Sequence, residues 1–349
     1  SLPPQQVTFA GVVHNGSGNF VGRGAMGGKP RPIHILARGD VRKPGLEVGP
    51  GAPAIYPEAE RWFELPADAP EGQRRVALSQ WIVDHRNPLT WRSIVNRVWQ
   101  YHFGRGIVES ASDFGRMGRA PSHPELLEWL AVEFRDGPQS LKLLHRQLVT
   151  TSTYRQSSVG DEARERIDAG NVYLWRMNRR KLEAEAIRDS VLAVSGRLDY
   201  RMGGPGFQDF VVERPEHSPH YEYHLHDPED PRIQRRSVYR FLVRSQPQPF
   251  MTTLDCADPS MSVDKRNETI NALQALALLN NKLTVSLARH FADRVAREAP
   301  DPRSQVARAF RLALSRDPTS DELDALVDYA NRHGLPNACR LVLNLNEFA

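Results

Sequence analysis

Between Asn87 and Ser158 the chain reads NPLTWRSIVNRVWQYHFGRGIVESASDFGRMGRAPSHPELLEWLAVEFRDGPQSLKLLHRQLVTTSTYRQSS, a run that fits three helices separated by glycine turns. Asn87 and Thr90 both offer starts for the first. Trp91, Ile94, Val95, Val98 and Trp99 then recur at helical spacing. Gly104 and Gly106 stop it, since glycine takes the left-handed backbone that closes a helix at no steric cost. Ser122 opens the second helix with Glu125 three residues on, a capping box in which each side chain satisfies the other's backbone donor. Pro124 falls in the first turn, where a missing N–H is harmless. Leu126, Leu127, Leu130 and Phe134 supply its buried stripe, and Gly137-Pro138 ends it. Ser140 starts the third helix, with Leu141, Leu144, Leu148 and Val149 facing inward.

The flanks divide by texture. Residues 1–70 are a glycine- and proline-rich β/coil segment, with a strand over VTFAGVVH, a loop over HNGSGNFVGRGAMGGKPRP and a second strand in PIHILARGDV ending at Gly39-Asp40. From there to Pro70 the chain reads as extended. Residues 71–198 form the helical core unit, beginning with a helix over Arg74–Asp84 and ending with an amphipathic one over Asn178–Leu198. Residues 199–266 are an irregular His- and Arg-rich insert with a short strand in RRSVYRFLVRS. A loop this long inside a compact fold is often functional. Residues 267–349 are helical: a pair broken near Asn280-Asn281 and running to Glu298, then 303–315, 319–332 with a Thr319/Glu322 capping box, and 335–346. The fold class is mainly α, a multi-helix domain with a small β/coil N-terminal segment and one short internal strand region, read as one continuous globular domain.

Composition narrows the function classes. Hydrophobic residues make up 40% and charged residues 25% of 349, the balance of a folded globular protein with room for a sizeable core. Of 46 basic residues only six are Lys, leaving 40 Arg against 42 acids. Arg presents a rigid fork to carboxylates, sulfates and phosphates. It also serves structural ion pairs, and no basic run is long enough for a nucleic-acid arm. No apolar stretch approaches a membrane span. Two cysteines, Cys256 and Cys339, make no disulfide framework but allow one bridge if the fold brings them together. No CxxCH is present, so the chain carries no covalent c-type haem. It begins Ser-Leu-Pro-Pro without Met or a signal sequence, the pattern of a fragment cut from a longer precursor.

Several constellations carry possible chemistry. The glycine-rich loop ends in Lys29-Pro30 and leads into a strand, so both the Walker and the dinucleotide readings fail for want of a following helix. Either it packs over the core, or Arg23, Lys29 and Arg31 take a sulfated or carboxylated ligand. In VERPEHSPHYEYHLHDPED, His217, His220, His224 and His226 stand among acids, a composition suited to zinc or another first-row divalent metal but equally to a polar surface loop. On the 178–198 helix, Arg179 with Glu183 and Glu185 with Asp189 are one turn apart. They serve acid–base work or, as charged helix faces usually do, salt bridges worth a few tenths of a kcal/mol each. Arg180 and Glu185 are the expected partly buried partners. Arg235, Arg236, Arg240 and Arg244, with Asp255, Asp258 and Arg266, form either a buried ion network or an anion-binding cleft. Cys256 lies beside Asp255 and Asp258, which would raise its pKa, and no Gly-x-Ser-x-Gly elbow occurs, so nucleophilic catalysis has no support.

The opening run, together with LWRMNRRKLEAEAIRDSVLAVSGRLD, RRSVYRFLVRS, LDCADPS and RNETINALQALALLNN, closely resembles a planctomycete family of unknown function (domain of unknown function 1553), over nearly the whole chain. The resemblance implies an extracytoplasmic setting, periplasmic or cell-surface. It also implies a place at the end of a larger exported protein whose upstream domains often include a c-type haem domain. It brings no established activity. The family also carries HFG, DFG and HPELL where this chain has His102, Asp113 and His123. On this basis His102, His123 and Glu125 are candidates for acid–base work, the alternatives being an exposed helix-start residue for His123 and a core-edge imidazole bonded to a backbone carbonyl for His102; the charged pairs above add Arg180, Glu185 and Asp255. Arg155, Arg236, Arg244 and Arg266 are candidates for holding an anion, and the four histidines of the insert for a divalent metal. Two functions follow: a module that binds or processes anionic polysaccharide through an Arg/His-lined cleft, or a non-catalytic scaffold docking a haem-bearing or surface partner. A concave cleft where His102, His123, Arg180 and Asp255 converge favours the first, and a broad apolar patch the second.

Overall fold

The computed structural model describes residues 32–66, 69–214 and 218–348. The expected first strand, the glycine-rich loop and His217 lie outside the described residues. Those described hold twelve α-helices and two small two-stranded sheets, a mainly α protein. The backbone separates into two compact units that divide between Asn178 and Arg179.

In the first unit, β1 (Ile33–Leu36) pairs antiparallel with β2 (Pro44–Val48) through a 3-10 turn over Ala37–Gly39. The expected second strand is therefore half of a hairpin, and the stretch expected to be extended contains β2 and a 3-10 turn over Ala59–Phe63. Helices α1 (Glu71–Val83), α2 (Pro88–Phe103), α3 (Pro124–Asp136), α4 (Leu141–Val149) and α5 (Glu162–Ile167) follow. The Asn87 side chain caps α2 by accepting from the Leu89 N–H, and Pro88 occupies the first helical position. At the far end Gly104 is left-handed at φ 80°, and its N–H returns to the Gln100 carbonyl. Trp91, Val95, Trp99 and Phe103 of α2 pack on Leu127, Leu130 and Phe134 of α3 and on Leu144 and Leu148 of α4. Trp99 and Phe103 stack at 4.1 Å. Asn96, fully buried in the middle of this face, binds both the N–H (2.8 Å) and the carbonyl (3.0 Å) of Val108 and so pins the chain after α2. Gly106 is obligatory there, because a Cβ would stand 2.5 Å from the Val108 carbonyl oxygen.

The capping box expected at Ser122 does not form. The residue at the start of α3 is His123, with no side-chain cap, and Ser122 instead turns its hydroxyl to the Ile107 carbonyl and the His123 ring. Ser140 does cap α4.

The second unit is built on α9 (Lys282–Glu298). Its stripe of Leu287, Phe291 and Val295 packs with Val191 and Leu192 of α6 (Ala184–Val194) and Cys339 of α12 (Leu335–Val342). Around it stand α7 (Pro249–Thr253), α8 (Ala272–Asn280), α10 (Pro302–Leu314) and α11 (Ser320–His333). The break between α8 and α9 falls at Asn281, whose side chain caps α9. In the insert, β3 (Val211–Glu213) pairs antiparallel with β4 (His220–Glu222).

The helix placed over 178–198 begins only at Ala184, because Arg179–Glu183 runs extended: Arg180 reaches Glu268 (3.5 Å) and Lys181 a hub described below. Arg179 and Glu183 are thus not a helical pair, and Arg180 and Glu185 take other partners, Glu268 and Arg266. RRSVYRFLVRS is not a strand. The Asp189 carboxylate accepts from both the N–H and the hydroxyl of Ser237, folding Ser237–Tyr239 into a 3-10 turn that leaves Val238 72% exposed.

The Thr319/Glu322 capping box is present: Thr319 accepts from the Glu322 N–H at 3.3 Å and Glu322 from the Thr319 N–H at 2.7 Å. Thr319→Ala should cost about 1 kcal/mol in chemical denaturation and Thr319→Ser a fraction of that. Equal losses would show that the hydroxyl does not hold the helix start.

Candidate functional site

The second unit holds a cleft of about 330 Å³, walled by Tyr223, His224 and His226 of the insert and by Lys282 at the start of α9, with Arg188 and Asp209 at its buried side. Ile233, Phe250 and Leu283 give it apolar surface.

Arg188 arises from an irregularity in an otherwise apolar stripe. Ala184, Ile187 and Val191 are buried on α6, and Arg188 lies among them. Its guanidinium donates to the Arg235 carbonyl (3.0 Å), the Ser237 hydroxyl (3.3 Å) and the Ile233 carbonyl, and lies over the Phe207 ring. Burial pushes its pKa down to about 10 against the opposing pull of Asp209 and Asp189, so it remains a cation at neutral pH. Asp209 is buried and its Oδ2 pairs with Arg240 at 2.9 Å, while Oδ1 finds no partner among the described residues. The buried Nε2 of His226 likewise has none. An orphaned buried acceptor costs about 1–3 kcal/mol unless something donates to it.

The insert is strapped to α9 along this wall. Lys282 donates to the His224 carbonyl at 3.1 Å. Glu229 accepts from Ser286 and bonds the His290 ring at 2.6 Å, contacts that hold its carboxyl below the usual range. Tyr223 bonds the Gln246 carbonyl at 2.8 Å, and burial raises its pKa, so it presents a neutral phenol.

The residues picked out by sequence distribute as follows. Among the insert histidines, His224 and His226 reach the cleft, and His224 also meets Glu222 at 3.2 Å. His220 is exposed on β4. Among the described residues no group of three or more His, Cys, Asp or Glu side chains is placed to hold a metal ion. Arg236 and Arg244 are exposed, Arg236 at 3.9 Å from Asp189. Arg266 is spent on Glu185 (3.2 Å) and Glu183 (3.8 Å). Asp255 sits in a hub with Lys181 (2.7 Å), Thr269 and Gln274. The ion network drawn from sequence is thus several separate clusters, with Arg235 spending its guanidinium on the Pro205 and Gly203 carbonyls. Cys256 and Cys339 are free thiols. Burial first, then Glu185, pushes Cys256 up to about 11, so the carboxylate responsible is Glu185 and not Asp255 or Asp258. Burial alone takes Cys339 to about 12.

In the first unit, His102 at the end of α2 meets His145 of α4, ring nitrogen to ring nitrogen, at 2.7 Å. His123, half-buried, stands just before α3, Glu125 is exposed in its first turn, and Arg155 is exposed beyond α4. His102, His123, Glu125 and Arg155 thus belong to one unit, and Arg180, Glu185, Asp255 and the remaining arginines to the other.

Sequence reasoning missed Arg188, Asp209, Tyr223 and Lys282. The available signal was an arginine interrupting the apolar stripe of α6.

The fold defines a helical protein whose cleft is cationic at its rim and holds a buried carboxylate. The chain belongs to the family described as protein of unknown function (DUF1553), PSD1, whose model matches residues 74–330. No curated protein and no solved structure matches it. No helix among the described residues is long and apolar enough to cross a membrane.

Proposed function

We propose that the second unit binds an acidic saccharide in the Arg188–His226 cleft, as an extracytoplasmic module of a larger exported protein. The observation that carries this is a cleft in which the exposed ammonium of Lys282 stands with His224 and Tyr223 beside an apolar wall. A uronate or sulfate meets Lys282 and the histidines. The Tyr223 ring and the apolar wall accept a sugar face. The volume suits roughly one or two sugar rings of a chain.

Calorimetric titration with a uronate or sulfated disaccharide, beside its neutral counterpart, tests this. The acidic ligand should bind at least tenfold more tightly, with affinity falling as salt rises. Lys282→Ala should weaken it about tenfold. Equal affinity for the neutral sugar, or no binding of either, rejects the reading.

A second reading rests on α8. Leu273 and Leu276 of α8, with Ile270 two residues before the helix, are 69%, 52% and 84% exposed, an apolar surface suited to docking a partner. It supports a scaffold that joins a haem-bearing or surface protein.

A further inference from the structure

We infer that His102 and His145 form a two-imidazole seat for a first-row divalent transition ion, a site in the first unit independent of the saccharide reading. Nε2 of His102 faces Nδ1 of His145 at 2.7 Å, with ring centroids 5.0 Å apart and planes 70° to one another. The two rings come from different helices packed on one rigid apolar core, and Tyr154 fixes the His102 ring by an edge contact at 5.5 Å.

Without an ion, such a pair holds together only if one ring donates its proton to the other's lone pair. With an ion, both inner nitrogens present lone pairs. Each imidazole stays neutral with its single proton on the outer nitrogen, so one tautomer shifts and no proton is released. Zinc takes imidazole nitrogen at about 2.0–2.1 Å, which sets two ligand nitrogens about 3.3 Å apart, so the nitrogens separate by about 0.6 Å and each ring turns to aim its lone pair at an ion off the line between them. His145 is exposed, which opens the site to solvent and leaves the remaining positions to water. His102 lies in the last turn of the sixteen-residue α2, where the helix dipole places partial negative charge. Imidazole pairs favour Zn²⁺, Ni²⁺ and Cu²⁺ and discriminate against the hard ions Mg²⁺ and Ca²⁺.

The test is calorimetric titration of the whole chain, stripped with a chelator, using Zn²⁺ and Ni²⁺ with Mg²⁺ as control, alongside thermal melting. One equivalent of Zn²⁺ should bind, and at a hundredfold excess over Kd the melting temperature of the transition that includes α2 should rise by roughly 5 °C. His145→Gln, a surface change whose folding is checked by circular dichroism, should weaken binding at least tenfold and remove the shift, as should His102→Gln. Unchanged affinity in His145→Gln overturns the inference. So does binding lost only in a His224→Ala, His226→Ala double variant, which would place the metal on the insert, and so does the absence of saturable heat. Saccharide binding should be untouched in His145→Gln, so this inference and the cleft reading fail separately.

Discussion

Arg188→Met should destabilise the protein by about 3–5 kcal/mol, the range for removing one member of a buried charged cluster. The substitution keeps much of the volume and the contact with Phe207, so the loss isolates the guanidinium. Two carbonyls and the Ser237 hydroxyl lose their donor, and the buried Asp209–Arg240 pair loses a neighbouring cation. Arg188→Lys should recover only part of this, because one ammonium on a shorter stem cannot span acceptors on Ile233, Arg235 and Ser237. Urea unfolding followed by circular dichroism reads both. A loss under about 1 kcal/mol for Met would mean the three acceptors are satisfied by water, and that Arg188 is available to a ligand instead of to the fold.

Lys181→Met should cost about 3 kcal/mol at neutral pH, and the cost should shrink in acid. Lys181 Nζ donates to the Asp255 carboxylate (2.7 Å), the Thr269 carbonyl (3.0 Å) and Gln274 (3.0 Å), and its side chain is 9% exposed. Asp255 is pulled in opposite directions: burial raises its pKa, but bonds from Lys181, Thr269 and Gln274 prevail and hold it below the ordinary value. A carboxyl with a depressed folded pKa contributes stability that is fully present above its unfolded value of about 3.9 and is lost as pH falls through the folded one. The gap between wild type and Lys181→Met should therefore be widest near pH 7 and narrow below about pH 4. A gap constant from pH 7 to pH 3 would show that Lys181 acts through its carbonyl contacts and not through Asp255.

The helices were legible wherever local signals agreed. Asn87, Ser140 and Thr319 cap the helices they were expected to cap, and Asn281 breaks α8 from α9 because its side chain serves the second of them. The failures came where a distant partner outbid the local pattern. Ser122 has the spacing of a cap but finds the Ile107 carbonyl, fifteen residues back, within reach. Arg179–Glu183 has helical charge spacing, yet extending the chain lets Arg180 and Lys181 reach partners more than seventy residues ahead. Alternation in RRSVYRFLVRS suggested a strand, but Asp189 converts its start into a turn, and only isolated bridges at Arg235 and Arg240 remain of the pairing.

The candidate site was half visible for the same reason. His224 and His226 drew notice because they cluster in sequence. Arg188 and Asp209 stand twenty-one residues apart in sequence, with no periodic relation between them. Only the fold sets both against the insert, so no window of local sequence contains the cleft.

The two thiols have a practical meaning. With pKa values near 11 and 12, both keep only about one part in ten thousand or less as thiolate at pH 7, and alkylating reagents attack the thiolate. A cysteine introduced at an exposed position would therefore react almost alone. The native chain is a nearly silent background for attaching a single spectroscopic probe, with neither Cys256 nor Cys339 needing to be removed first.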